Sequence, residues 1–215
     1  MDVLAYLIDL ALHLDRHLLE LVSQYGVFIY AILFFIIFAE TGFVVTPFLP
    51  GDSLIFVAGA LAAIGEMNIA WLLFVLFVAA LTGNMLNYQI GRMLGPRVFH
   101  WEKSRLFNPA MLTKTQLFYE KHGGKTLVIS RFMPILRTFA PFVAGIGKMQ
   151  YGRFFFFNFL GALTWVVSIG LAGFWFGNVP WIKKNLSLVI VGIIVLSLLP
   201  AVFAWLKERR CAKAA

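Results

Sequence analysis

Four stretches of the chain are apolar over about the length that a membrane-crossing helix needs. They cover residues 25–39, 69–91, 154–176 and 186–206. About 20 predominantly apolar residues cross the roughly 30 Å hydrocarbon core as a helix, so the pattern predicts four transmembrane helices. Over residues 1–23, apolar residues recur at helical spacing and charged residues fall mainly between them, which predicts an amphipathic interfacial helix.

Two further apolar stretches, residues 40–64 and 126–149, are interrupted by proline, glycine and charged residues. A proline inside a helix costs about 3 kcal/mol, so neither stretch is predicted to form one straight helix. Irregular backbone at membrane depth is tolerated where protein or a water-filled cavity surrounds it. We therefore predict two re-entrant hairpins. The residues predicted to shape them are Pro47, Pro50, Gly51, Pro134, Pro141 and Gly145.

A short internal repeat relates the two hairpins. The sequence Phe-Val-Ala-Gly at residues 56–59 recurs at residues 142–145, and at the same offset Gly91 matches Gly177. Each copy precedes a long apolar span, and one span separates the hairpins, so they enter the membrane from opposite faces. This predicts an inverted repeat with halves of about residues 24–95 and 108–180, the plan of many secondary transporters.

These patterns predict an all-α membrane protein. Four transmembrane helices and two oppositely oriented re-entrant hairpins form one membrane domain over residues 24–206, and residues 207–215 form a basic cytoplasmic tail. Residues 92–125 are predicted to be a long polar loop containing a surface helix that starts at Asn108. Composition agrees, because 61% of residues are hydrophobic and 13% are charged, against about 25% charged in soluble domains.

The net charge of +8 comes from basic residues that cluster in the loops on one predicted side of the membrane. The opposite side holds only Lys183 and Lys184, so both termini are predicted to be cytoplasmic. We interpret the charge as contact with anionic lipid head groups and expect no nucleic-acid partner. The single cysteine, Cys211, cannot form an intramolecular disulfide, and neither a metal nor another cofactor is expected.

Four ionisable residues stand out within the hairpins, namely Glu40, Asp52, Arg131 and Arg137. Charged groups at membrane depth are costly, so they should pair with one another or line a wet cavity. The planar guanidinium suits phosphate or carboxylate, which makes the two arginines candidates for binding an anionic head group. The two acids are candidates for proton coupling, because apolar surroundings favour a protonated carboxyl group and a nearby arginine favours the ionised one. A pair of salt bridges that only locks the hairpins together is the structural alternative.

Three asparagines lie in the predicted spans. Asn84 and Asn87 belong to the second span and Asn158 to the third. Asparagine inside a membrane forms hydrogen bonds between helices or lines a cavity. We predict interhelical hydrogen bonds, with cavity lining as the alternative.

The hairpin motifs resemble those of the DedA family, also called the SNARE-associated or VTT-domain family. The similar motifs are Glu40-Thr-Gly-Phe, the run from Pro47 to Asp52-Ser, the run from Ser130-Arg131 to Arg137, and Ala144-Gly145. The resemblance implies a bacterial inner-membrane protein with paired hairpins around a cavity. It also implies translocation of a polyprenyl phosphate carrier or a phospholipid, dependence on the proton motive force and a role in envelope maintenance. The family's functional acids and arginines fall on the four ionisable positions named above.

The predicted function is therefore a transporter or flippase for an anionic lipid. Its partners would be membrane lipids, the lipid-phosphate substrate and protons, and a homo-oligomer is compatible with it. A lipid phosphatase is not expected, because the phosphatase motif beginning at Arg131 needs a histidine at position 137 and no histidine follows His122. A proton or cation antiporter and a non-transporting assembly factor remain alternatives.

Overall fold

The computed structural model describes residues 25–43, 51–95, 117, 119 and 121–179, and every regular element of more than one residue within them is helical. This confirms the all-α prediction for that part of the chain. The α-helices are α1 (Phe28–Gly42), α2 (Gly51–Ala63), α3 (Ile69–Leu94), α4 (Thr126–Ile129), α5 (Pro134–Ile146) and α6 (Tyr151–Gly177). Short 3₁₀ helices cover Gly123–Lys125 and Ser130–Phe132.

Two of the described helices are long and apolar enough to cross a membrane. They are α3 with 26 residues and α6 with 27 residues, which match the second and third predicted spans. The first predicted span is an apolar helix of 15 residues, α1, displaced towards the hairpin. The fourth span, the N-terminal amphipathic helix and the basic tail lie outside the described residues. The helix predicted to start at Asn108 also lies outside them except at residues 117, 119, 121 and 122, which are helical.

One predicted boundary was wrong. The polar loop was expected to begin at Arg92, but α3 continues to Leu94 and has Arg92 in its last turn. The prediction ended the helix too early because it took the charged Arg92 as the start of the loop. A basic side chain is favourable near a helix C-terminus and does not end the helix. Gly95 follows with a positive φ of 62°, a conformation in which glycine commonly ends helices.

The second interrupted stretch is broken in the middle, as predicted. Helix α4 and its 3₁₀ continuation lead to Met133, whose backbone is extended (φ −115°, ψ 105°), and α5 then begins at Pro134. Proline disfavours helical backbone in the residue before it and suits the first position of a helix. Pro141 lies inside α5. In the first stretch α1 ends at Gly42 and α2 begins at Gly51, while Pro47 and Pro50 lie outside the described residues. The re-entrant path of both hairpins remains a prediction.

The chain divides into two compact groups of residues. Among the described residues, the first contains residues 25–29, Asp52–Ile69 and residues 169–179, and therefore holds α2, the start of α1 and the end of α6. The second contains Tyr30–Gly51 and Ala70–Ser168, and therefore holds α3, α4, α5, most of α1 and most of α6. We call them the α2 group and the polar group, and describe each by itself.

In the polar group, the second Phe-Val-Ala-Gly motif packs against α3 through two glycines. A β-carbon on Gly145 would overlap the Tyr88 carbonyl oxygen, and a β-carbon on Gly91 would overlap the Phe142 carbonyl oxygen. Glycine at both positions therefore lets two helical backbones touch, which no other residue permits at this separation.

In the α2 group, the first copy of the motif makes the same contact with the end of α6. A β-carbon on Gly59 would overlap the Gly170 carbonyl oxygen, and one on Gly173 would overlap the Phe56 carbonyl oxygen. Both copies of the Phe-Val-Ala-Gly motif therefore pack against a long helix in the same way. The structure also corrects the alignment of the two repeat halves. Gly91 corresponds to Gly173 rather than to Gly177, which lies about one helical turn further on.

Candidate functional site

Most of the buried polar side chains belong to the polar group. Ten of them are at most 4% exposed, and eight of these ten, leaving aside Thr126 and Ser130, are Glu40, Thr41, Asn84, Asn87, Arg131, Arg137, Thr138 and Asn158. We call these eight residues the polar cluster. They come from α1, α3, the 3₁₀ segment before Met133, α5 and α6. Burying so many polar groups is costly unless they bond to one another, so their contacts are informative.

Glu40 and Arg137 form a buried ion pair. Arg137 donates a hydrogen bond from Nη2 to Glu40 Oε1. Glu40 lies in the last turn of α1 and Arg137 in the first turn of α5, which are the helix ends where each charge is disfavoured by the helix dipole. Pairing offsets both penalties. The sequence left open which acid meets which arginine, and the structure pairs these two.

Gly51 lies directly against the Glu40 carboxylate. A β-carbon at position 51 would overlap the Glu40 carboxylate oxygens. Gly51 was predicted only as a hairpin-shaping residue, and its contact with Glu40 supplies a second reason for glycine there. Asp52, the next residue, lies partly buried in the first turn of α2, where a negative charge is favourable. It belongs to the α2 group, whereas Glu40 and both arginines belong to the polar group.

Arg131 is held by an asparagine rather than by an acid in the described contacts. Its Nη2 donates to Asn158 Oδ1 at 2.8 Å and to the Ala80 carbonyl at 3.3 Å. Asn84 Nδ2 donates to the same Asn158 oxygen at 3.0 Å, and Asn158 Nδ2 donates to the Leu81 carbonyl at 3.1 Å. Asn84 and Asn158 therefore form interhelical hydrogen bonds. The Nε and Nη1 groups of Arg131 have no acceptor among the described residues.

Asn87 joins the two segments that carry the ion pair. Its Nδ2 donates to the Thr41 carbonyl at 3.1 Å and to the Thr138 carbonyl at 2.9 Å. Thr41 follows Glu40, and Thr138 follows Arg137. Thr41 also lies at the end of α1, where carbonyl groups lack intrahelical partners. One side-chain amide on α3 thus fixes the backbone beside both members of the ion pair.

Two residues of α6 complete the site, and the sequence analysis did not identify them. The Trp165 ring lies under both arginines, with its centroid 5.7 Å from Arg131 Cζ and 5.2 Å from Arg137 Cζ. Both distances are within cation–π range. A β-carbon on Gly161 would lie 3.1 Å from Arg131 Nε, so glycine leaves room for that side chain. Asn158, Gly161 and Trp165 share one helix face by their spacing, which was the available signal.

The charges of the polar cluster do not balance. It contains one acid and two arginines, so with Glu40 ionised it carries one excess positive charge. Two guanidinium groups over one aromatic ring are an arrangement suited to an anion with several oxygens, because each guanidinium offers a planar set of donors. The remaining predicted site residues, Pro134, Pro141 and Gly145, lie in α5 and shape or pack the helix that carries Arg137.

Long apolar helices around a buried charged cluster define the class: this is a helical membrane protein. Comparison with known proteins agrees. The VTT domain family matches residues 49–175. The chain is 52% identical over 214 residues to protein DedA of Escherichia coli strain K12, covering 99% of this chain and 98% of that protein. It belongs to the DedA family, as the motifs indicated.

Other relatives are named as membrane proteins. Inner membrane protein YghB of Escherichia coli strain K12 is 32% identical over 213 residues, covering 94% of this chain and 93% of that protein. An uncharacterized membrane protein of Mycobacterium leprae is 42% identical over 169 residues, covering 79% and 76%. No solved structure gives a significant match.

Proposed function

We propose that this protein is a transporter of the bacterial cytoplasmic membrane that moves an anionic lipid across the bilayer, with uptake of protons. The lipid would be a polyprenyl phosphate carrier or a phospholipid, and the activity would support envelope maintenance. The observation that carries the proposal is the buried Glu40–Arg137 pair with a second guanidinium, Arg131, over the same tryptophan ring. The relative named as an inner membrane protein supports the location.

Arg131 supports binding of a phosphate group. An arginine side chain has five N–H donors, and Nη2 of Arg131 uses its two on Ala80 and Asn158. The remaining three, on Nε and Nη1, are buried without an acceptor in the described part of the chain. A buried donor without an acceptor costs about 1–3 kcal/mol, and more when it is charged. Phosphate oxygens from a bound head group would recover that cost.

Glu40 supports coupling to protons. Its carboxylate and a phosphate would compete for Arg137, because both need the same donors. Protonation of Glu40 removes its charge and releases Arg137 for the anion, so one proton and one negative charge enter the site together. In this cycle the lipid crosses without any covalent bond being broken. Asp52, in the α2 group, remains a candidate for a second proton-exchanging residue.

The rival function is a non-transporting assembly factor in which the ion pair only locks α1 to α5. The complete burial of the pair favours that alternative more than any other observation does. A buried ion pair is nevertheless a weak device for stability, because desolvation costs about as much as pairing returns. An antiporter for protons and cations would use the same acids. The transport assay below separates these possibilities.

The test is lipid movement in liposomes that contain the purified protein, with labelled lipid phosphate in one leaflet. The variants are Arg131→Gln and the exposed control Arg92→Gln, which makes the same chemical change at the end of α3. Loss of a charged hydrogen-bonding group costs about 1.5–3 kcal/mol, so Arg131→Gln should slow movement about 10- to 100-fold. Arg92→Gln should match wild type. Wild-type movement no faster than in empty liposomes would refute the proposal.

Proton coupling is tested in the same liposomes with an imposed pH gradient. Acidifying the compartment from which the lipid leaves should accelerate transport by wild type. Glu40→Gln, which resembles a permanently protonated acid, should remove that dependence. Transport that ignores the gradient would contradict the coupling while leaving lipid movement intact.

A further inference from the structure

The polar cluster contains buried hydrogen-bond acceptors without donors as well as donors without acceptors. Asn84 Oδ1, Asn87 Oδ1 and Thr138 Oγ1 have no hydrogen-bond partner among the described residues. Each of these residues is at most 2% exposed. Leaving a buried polar atom unsatisfied costs about 1–3 kcal/mol, so these three oxygens are available to a bound molecule that supplies donors.

The orientation of both asparagine amides is fixed by their other contacts. Asn158 Oδ1 accepts from Arg131 Nη2, so Asn158 must present its oxygen there and Asn84 must present its NH₂ group. Asn87 directs its NH₂ group at two backbone carbonyls. Turning either amide over would set oxygen against oxygen. The unsatisfied oxygens are therefore a consequence of the network rather than of an arbitrary amide assignment.

These oxygens belong to the same site as the two arginines. Asn84 is joined to Arg131 through their shared acceptor, Asn158 Oδ1. Thr138 follows Arg137 in α5, and Asn87 binds its backbone carbonyl. Asn84 and Asn87 are three residues apart on α3, which places them as neighbours on one helix face. Unsatisfied donors and unsatisfied acceptors thus occur side by side.

We infer that the anionic head group bound by this site also carries a hydrogen-bond donor, which Asn84, Asn87 and Thr138 recognise. The inference rests on the proposed function and narrows its substrate. A phosphodiester with a plain alkyl substituent offers acceptors only, so it can accept from Arg131 and from the Thr138 hydroxyl group but cannot donate to the Asn84 and Asn87 oxygens. Two head groups offer both kinds of atom: a phosphate monoester that retains one P–OH, and a phosphodiester whose substituent carries hydroxyl groups.

The experiment compares three labelled lipids in phosphatidylcholine liposomes that contain the full chain. Phosphatidylglycerol and phosphatidylmethanol have the same charge and differ in hydroxyl groups, and phosphatidic acid carries its donor on the phosphate. One neutral hydrogen bond contributes about a five-fold preference. Wild type should move phosphatidylglycerol at least about five-fold faster than phosphatidylmethanol. A preference for phosphatidic acid that disappears at high pH would assign the donor to the protonated phosphate.

Thr138→Val is the decisive variant, because it removes only the hydroxyl group and keeps the side-chain shape and the backbone carbonyl. Its matched control is Thr82→Val, outside the polar cluster, since the Thr82 hydroxyl already donates to the Val78 carbonyl at 2.7 Å. Thr138→Val should reduce the preference for the donor-bearing lipid over phosphatidylmethanol about three- to five-fold. Thr82→Val should keep the preference. Thermal unfolding should show Thr138→Val to be at least as stable as wild type, because an unsatisfied group has been removed.

The outcomes separate this inference from the proposed function. Equal movement of phosphatidylglycerol and phosphatidylmethanol by wild type would overturn the inference while supporting lipid transport. So would a Thr138→Val variant that keeps the full preference, or one that slows all lipids equally. No movement of any anionic lipid by wild type would instead refute the proposed function on which the inference rests.

Discussion

Substitution of Gly51 by alanine is predicted to break the Glu40–Arg137 ion pair without changing either residue. The added β-carbon would overlap the Glu40 carboxylate oxygens, and the carboxylate must then leave Arg137. Breaking a buried ion pair costs about 3–5 kcal/mol. Alanine returns about 0.5–1 kcal/mol because it loses less backbone entropy than glycine in a helix. The free energy of unfolding should fall by about 2–4 kcal/mol.

Thermal unfolding in detergent, followed by helical circular dichroism, measures this effect. A chain of this size loses about 2–4 °C in Tm per kcal/mol, so Gly51→Ala should unfold roughly 5–15 °C below wild type. Gly152→Ala is the control, because Gly152 lies in α6 and a β-carbon there would meet no atom within 4 Å. That variant should be as stable as wild type or slightly more stable.

A double variant tests whether the loss comes from the overlap with Glu40. In a Glu40→Ala background the carboxylate is absent, so adding Gly51→Ala should cost less than about 1 kcal/mol. Equal unfolding temperatures for Gly51→Ala and Gly152→Ala would refute the reasoning. An undiminished cost of Gly51→Ala in the Glu40→Ala background would also refute it, since the damage would then arise elsewhere.

Three further predictions concern packing and backbone conformation, and thermal unfolding measures each. Gly91→Ala and Gly173→Ala should both destabilise by about 2 kcal/mol or more, because each β-carbon would overlap a backbone carbonyl that cannot rotate away; a cost at only one position would contradict the repeated packing. Tyr88→Phe should lose about 1 kcal/mol, since it removes the 2.5 Å hydrogen bond to the Met149 carbonyl, and an unchanged Tm would show that this bond contributes nothing. Lys148→Gly should stabilise by about 1 kcal/mol, because Lys148 has a φ of 51° that glycine adopts without strain; a fall in Tm would contradict that.

The class of protein and several features of the site could be read from the sequence. Hydropathy is a local property, so it identified α3 and α6 as long apolar helices. Proline, glycine and charge predicted a break within residues 126–149, which the structure has before Pro134. The rarity of charge in apolar surroundings singled out Glu40 and both arginines before any contact was known.

Tertiary structure decided which of these residues act together. Glu40 and Arg137 are 97 residues apart, and their pairing depends on the register of α1 against α5, which Asn87 fixes through two backbone carbonyls. Asp52 was predicted beside Glu40 as an acid of the first hairpin, and it belongs to the α2 group. No local pattern encodes such a division.

The same limit applies to the glycines and the tryptophan. In the sequence, Gly51 was a turn residue, Gly161 one of many small residues, and Trp165 an ordinary apolar residue of a span. In the fold, Gly51 touches a carboxylate, while Gly161 and Trp165 surround a guanidinium. The sequence alone determined that this protein is helical, belongs in a membrane and carries charge inside its two interrupted apolar stretches. Only tertiary structure decided which of those charges meet, because contacts between distant helices depend on register and side-chain size at points that hydropathy does not record.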